Sequence, residues 1–214
     1  LRSVCFTNVP KMVLKDPERK HIKMHDWHFG AHSRKLHEKG LCSYIPVTYH
    51  QGPRIIRKTH NVDVAVVMAT PMDKSGYFNF GISNSVCGSY MSKAKKVVIE
   101  VNENVPYCLG GNFESVHISN VDYIIEGKNK PLIEVPPIPE QEVEIKIAKI
   151  IMNEIHDGST LQFGIGGLPN VIGKMIAESD LKDLAFHSEM MTDCCVDLYK
   201  AGKITGRKKA IDHF

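Results

Sequence analysis

The feature that most limits the fold is a continuous apolar run, "VDVAVVMATPM", at residues 62–72. Such a β-branched run is typical of a strand buried on both faces of a parallel sheet. Two further runs of this kind follow, "KKVVIEVN" at 95–102 and "VDYIIEG" at 121–127, and a helical pattern at 81–94 separates the first two. The alternation of strands and helices predicts an α/β fold with a mostly parallel open sheet and flanking helices.

A proline-rich stretch divides the chain. Residues 128–139, "KNKPLIEVPPIP", contain four prolines, which excludes both a regular helix and a central strand. We therefore predict one α/β domain at 1–127, a linker at 128–139 and a separate β-α-β segment at 140–214.

The segment after the linker begins with a helix that ends near Gly158. Its apolar side chains fall near one face: Val143, Ile147, Ile150, Ile151 and Ile155. A strand at 160–165, a helix at 169–179 and a strand at 184–189 follow. The glycines at 164–167 then lie between the carboxyl end of a strand and the start of a helix, where open α/β sheets bind ligands.

We call residues 164–168 the glycine loop; they are Gly164, Ile165, Gly166, Gly167 and Leu168. Backbone N–H groups beside a helix start suit a phosphate, a carboxylate or a developing oxyanion, and glycines let a ligand come close. Many glycine turns only allow a helix to pack on a sheet, so this pattern leaves a structural role equally open.

Glu189 is the candidate reactive residue because it follows Gly167 by 22 residues, at the predicted end of the neighbouring strand. It could act as a nucleophile towards an activated acyl group such as a thioester. It could instead bind a ribose hydroxyl in a dinucleotide site, although Pro169 replaces the third glycine of that fingerprint. A turn or ion pair is the structural alternative.

Two neighbours of these residues are candidates for supporting roles. His187 precedes Glu189 by two positions, so on a strand it faces the same side. Gln162 lies just before the glycine loop. A packed or hydrogen-bonded structural role is the alternative for each of them.

Charge and cysteine usage limit the partners. The net charge of +3 comes from scattered Lys and Arg, which gives no reason to expect nucleic acid. No run reaches the roughly 18–20 apolar residues of a membrane span. The six cysteines form no C-x-x-C pair and no Cys/His spacing typical of zinc. We expect free thiols in a cytoplasmic protein with no metal site.

Two longer stretches carry a family resemblance: "DGSTLQFGIGGLPNVI" at 157–172 and "HSEMMTDCCVDLYKAGKIT" at 187–205. With 62–84 and 94–106, they resemble the acetyl-CoA hydrolase/transferase family, and most closely its 4-hydroxybutyrate and butyryl-CoA:acetate CoA-transferases. Members are longer, so the resemblance implies a fragment that lacks the N-terminus and a C-terminal domain and holds only part of a working site. Residues 1–127 then correspond to the remainder of the family's N-terminal α/β domain.

The resemblance implies a function as well. Glu189 becomes the glutamate that forms a covalent CoA thioester, and the glycine loop becomes its CoA-contacting neighbour. The reaction is ping-pong transfer of CoA between a short-chain acyl-CoA and a carboxylate such as acetate. The acyl-CoA is butyryl-, 4-hydroxybutyryl- or acetyl-CoA. Coenzyme A is a substrate, no further cofactor is expected, and the protein is expected to be a homo-oligomer. An acyl-CoA hydrolase using the same site is the alternative.

Overall fold

The computed structural model describes residues 1–3, 8–110, 113–134 and 138–207. The chain divides into two compact units, Leu1–Leu132 (unit 1) and Ile133–Phe214 (unit 2). The division falls inside the proline-rich stretch at 128–139. Residues 135–137 of that predicted linker, and residues 208–214 of the predicted segment after it, lie outside the described residues.

Unit 1 begins with a small parallel sheet in the order β1-β2-β3. Its elements are β1 (Arg2–Ser3), α1 (Lys11–Leu14), β2 (Met24–Asp26), α2 (Ala31–Glu38) and β3 (Cys42–Tyr44). Val13, Met24 and Leu36 form the centre of the core between these helices and strands. The buried carboxylate of Asp26 is satisfied by the Ser33 hydroxyl, which ties β2 to α2.

A second parallel sheet follows in unit 1, in the order β4-β6-β8. The elements of this part are α3 (Gly52–Thr59), β4 (Val62–Ala69), β5 (Tyr77–Asn79), α4 (Cys87–Met91), β6 (Ala94–Val101), β7 (Ser115–His117) and β8 (Tyr123–Glu126). β5 and β7 form a separate antiparallel pair. The three apolar runs of the sequence are therefore the three strands of one parallel sheet.

β4 is buried on one face only. Val67 and Ala69 pack in a core with Phe78 and Ile99, whereas Val66 on the opposite face is 61% exposed. Consecutive side chains of a strand point to opposite faces, and the core of this unit covers one of them. The prediction that this strand is buried on both faces is therefore wrong for unit 1.

Unit 2 has the predicted order of helices and strands. Its elements are α5 (Glu142–Met152), β9 (Thr160–Leu161), α6 (Gly167–Glu178), β10 (Ala185–Phe186) and α7 (Asp193–Lys200). β9 and β10 pair in parallel, with Thr160 opposite Ala185. The strands are shorter than predicted, but the α/β class with mostly parallel sheets and flanking helices is confirmed.

The buried residue of α5 is not one of the large apolar residues that lie near one face of the helix. Ala148 is fully buried, whereas Ile150 is 68% exposed and Val143 and Ile147 are also exposed. Farther along the chain, Ile155 packs at the edge of the core formed by Phe163, Ile176, Leu184, Cys194, Cys195 and Leu198. The small side chain of Ala148 is therefore what α5 places in the interior of unit 2.

Candidate functional site

The ends of β9 and β10 bring Glu189 and the glycine loop to one rim of the sheet. The His187 N–H donates to the Leu161 carbonyl at 2.9 Å, so pairing continues past the last strand residues. One residue farther on, the Ser188 hydroxyl donates to the Phe163 carbonyl at 3.1 Å. Glu189 directly follows Ser188, and the glycine loop directly follows Phe163. Glu189 and the loop therefore start from adjacent points on this rim.

The glycine loop leads into α6 through a conformation that requires glycine. Gly166 precedes the helix with φ +146° and ψ 178°, a region that only glycine adopts readily. No side chain caps the helix start. Because Pro169 has no N–H, Gly167 and Leu168 supply the amide groups of this first turn. An uncapped helix start with two such amides is suited to bind an anion or an oxyanion.

The candidate residues differ in exposure. Glu189, Gly164 and Ile165 are exposed, and Gly167 is buried. His187 and Gln162 are exposed on the same rim. Within the described residues neither His187 nor Gln162 forms a side-chain hydrogen bond, so both are free to turn towards a ligand.

Sequence reasoning missed Glu144, whose carboxylate lies against Gly167 at the start of α6. Glu144 is the third residue of α5, and its Oε2 accepts the N–H of Gln141 at 2.9 Å. The two residues form a capping box, although Gln141 is not the Ser or Thr of its usual sequence signature. The sequence also gives no sign that Glu144 lies beside Gly167, which is more than 20 positions farther along the chain.

α7 is packed against α6 just beyond Glu189. A Cβ on Gly173 would lie 2.6 Å from the Cβ of Cys194, so the two helices approach at van der Waals distance. The Cys195 N–H donates to the Thr192 carbonyl at 2.9 Å as α7 begins. The segment 189–192 is therefore held between a paired strand end and a tightly packed helix.

The described residues contain no group of three or more His, Cys, Asp or Glu side chains arranged to hold a metal ion. Within the same part of the chain, no helix is long and apolar enough to cross a membrane. The five described cysteines are unpaired.

Comparison with known proteins extends these observations. The family model of the acetyl-CoA hydrolase/transferase N-terminal domain matches residues 8–136. A probable butyrate:acetyl-CoA coenzyme A-transferase of Syntrophomonas wolfei is 47% identical over 93% of this chain and 44% of its own length. A butyryl-CoA:acetate CoA-transferase of Anaerostipes caccae is 46% identical over 93% of this chain and 45% of its own.

A solved structure gives the same result for the fold. The crystal structure of RipA from Yersinia pestis superposes with a TM-score of 0.81 at 32% identity and covers 90% of this chain and 45% of that one. The chain thus spans less than half the length of the curated relatives that it matches.

Proposed function

Since the chain belongs to the acetyl-CoA hydrolase/transferase family, we propose that it transfers CoA between a short-chain acyl-CoA and a carboxylate, with Glu189 as the nucleophile. One observation carries this proposal: an exposed glutamate adjoins an uncapped helix start that begins with a glycine loop. A nucleophile and a set of oxyanion donors on one rim are what acyl transfer requires.

The first half-reaction begins when a Glu189 carboxylate oxygen attacks the thioester carbonyl. The carbonyl oxygen becomes an oxyanion, which the amides of Gly167 and Leu168 stabilise. The C–S bond breaks, the CoA thiolate leaves, and an acyl-glutamyl anhydride remains. The thiolate then attacks the Glu189 carbonyl, the anhydride C–O bond breaks, and the acyl group departs as a free carboxylate. The product is a glutamyl-CoA thioester.

The second half-reaction runs through the same steps in reverse. An incoming carboxylate attacks the glutamyl thioester, and the released thiolate takes the new acyl group. Carboxylate and thiolate exchange the acyl group without a net proton transfer, so this mechanism requires no metal and no cofactor besides coenzyme A as substrate. His187 and Gln162 are proposed to orient the Glu189 carboxylate from the same rim.

The names of the most similar relatives guide the choice of substrate. Both relatives at 46–47% identity are named for butyrate or butyryl-CoA together with acetate or acetyl-CoA. We propose butyryl-CoA and acetate as the first pair to test, with 4-hydroxybutyryl-CoA and acetyl-CoA as further donors. The free cysteines favour a cytoplasmic enzyme, and the family resemblance favours a homo-oligomer.

An acyl-CoA hydrolase is the second candidate, because Glu189 is exposed and water could reach its acyl or thioester intermediate. The two activities differ in their need for an acceptor. A transferase consumes more than one equivalent of butyryl-CoA per site only when acetate is added, whereas a hydrolase continues to consume it without acetate.

The test is peptide mass mapping of the full-length gene product after incubation with butyryl-CoA and rapid quenching. We expect a CoA adduct on the peptide that contains Glu189, and no adduct in Glu189→Gln, which keeps the size of the side chain but removes the nucleophile. We also expect Glu189→Gln to melt at the wild-type temperature, since the carboxylate is exposed. Normal turnover in this variant would disprove the assigned mechanism.

A further inference from the structure

The start of α5 holds the start of α6 through Glu144. A Cβ on Gly167 would lie 2.7 Å from Oε2 and 2.8 Å from Cδ of Glu144, and still closer to Oε1. The carboxylate therefore occupies the space in which a side chain at Gly167 would begin. Its Oε2 also accepts the N–H of Gln141, so α5 itself keeps the side chain in place.

A second interaction connects α6 with the residue that precedes the N-cap of α5. Lys174 in α6 forms an ion pair with Glu140 at 3.1 Å, just before α5 begins. Both side chains are largely exposed, and such surface pairs contribute little. Glu144 is partly buried, and its carboxylate lies beside Gly167 where a Cβ would be. It is therefore the stronger constraint on where α6 begins.

The negative charge of Glu144 also favours its position beside the start of α6. A helix start carries a partial positive charge, and a carboxylate beside it is favourable. No side chain of α6 itself caps this start. Within the described residues, Glu144 accepts its hydrogen bond from Gln141 and not from the amides of Gly167 or Leu168, so these two donors stay available to an oxyanion.

We infer that Glu144 is a positioning residue for the reaction, and this inference rests on the proposed function. Glu144 fixes the amides of Gly167 and Leu168 relative to Glu189. A glycine loop has little stiffness of its own, so its oxyanion donors need support from a packed neighbour.

The experiment uses Glu144→Ala in the full-length gene product, with Glu142→Ala as the matched control. Glu142 lies in the same turn of α5, but among the residues that the structure describes it pairs with Lys146 alone, and its side chain is 82% exposed. Glu144→Gln is the conservative variant, because its amide oxygen can still accept the Gln141 N–H and fill the space beside Gly167.

The decisive readout is a single turnover with butyryl-CoA, in which CoA adduct on Glu189 is followed over time. A positioning role predicts that Glu144→Ala lowers the rate constant by about 10- to 100-fold, as expected for a misplacement on the order of 1 Å. The final adduct per folded protein should stay near the wild-type amount. A merely structural role would instead leave the rate constant of the folded molecules unchanged and lower only the adduct per total protein. We expect Glu144→Gln to recover most of the rate and Glu142→Ala to match wild type.

Hydrogen exchange of the peptide 166–172 provides a readout that needs no substrate. It should be faster in Glu144→Ala than in Glu142→Ala, because the first turn of α6 loses its support. The inference is overturned if Glu144→Ala matches the control in both rate constant and exchange. It is also overturned if Glu144→Ala reacts faster than wild type, since the carboxylate would then obstruct the site.

Failure of the proposed function gives a different pattern. Wild-type protein would then form no adduct on Glu189 with any acyl-CoA tested, while exchange at 166–172 would still respond to Glu144→Ala. That result refutes the catalytic part of the inference together with the proposed function and leaves the contact as a packing feature of α5 and α6.

Discussion

Replacing Gly164 with alanine tests directly whether a ligand passes close to the backbone of the glycine loop. The three glycines of this loop are not equivalent. Gly166 has φ +146°, so alanine there would strain the backbone by about 1–3 kcal/mol. A Cβ on Gly167 would collide with the Glu144 carboxylate. Both changes would alter the loop itself, and a loss of activity would not identify its cause.

Replacing Gly164 with alanine would neither strain the backbone nor cause a collision with Glu144. A Cβ there would meet only the Cγ of Pro169, at an ordinary 3.9 Å, and its φ lies outside the left-handed region. Because alanine restricts the unfolded chain, Gly164→Ala should raise the free energy of unfolding by about 0.4–1 kcal/mol. For a chain of this size that corresponds to a melting temperature about 1–4 °C higher.

The activity should move in the opposite direction. If acyl-CoA lies in contact with the loop, the added methyl group displaces it by roughly 1 Å, and the rate should fall by up to about 100-fold. The assay is the initial rate of acetyl-CoA formation from butyryl-CoA and acetate, with a thermal melt on the same sample. Gly166→Ala is the comparison, because it should lose both stability and activity. Unchanged turnover in Gly164→Ala would refute the close approach of a ligand to this residue.

Two other changes test packing and pH dependence. Gly173→Ala should lower the melting temperature, because overpacking against Cys194 costs about 1–3 kcal/mol. This cost exceeds the helix-propensity gain of about 1 kcal/mol. An unchanged melting temperature would show that α7 can shift at no cost. Burial raises the pKa of Cys87 to about 11, so iodoacetamide at pH 8 should label Cys108 well before Cys87, as peptide mapping would show. Because burial favours the neutral thiol of Cys87, its contribution to the stability of the fold is fully present below the ordinary thiol pKa. The contribution is lost as the pH rises through about 11. Equal labelling rates at pH 8 would contradict the burial of the Cys87 thiol.

Much of the candidate site could be read from the sequence. The glycine loop and Glu189 each follow a strand, and parallel strands joined by one helix usually lie side by side. The carboxyl ends of these strands then meet, as the hydrogen bond from Ser188 to Phe163 shows. Their chemical roles remain predictions until the adduct on Glu189 is sought.

Other features could not be read from the sequence, because they depend on contacts between distant residues. Periodicity marked Val143, Ile147 and Ile150 as one apolar face of α5, yet all three are exposed and Ala148 is buried. In the same way, the apolar run of β4 does not reveal which face its neighbours cover.

The sequence by itself determined the three strands of the β4-β6-β8 sheet, the order of helices and strands from α5 to β10, the α/β class and the place of the glycine loop. These depend on backbone sterics and on the spacing of apolar residues over a few positions. Only the tertiary structure decided why two of the loop glycines are needed: Gly166 for its backbone angle and Gly167 for the space taken by Glu144. The first reason is a conformation that the neighbouring chain imposes, and the second is a contact made only when α5 packs against α6.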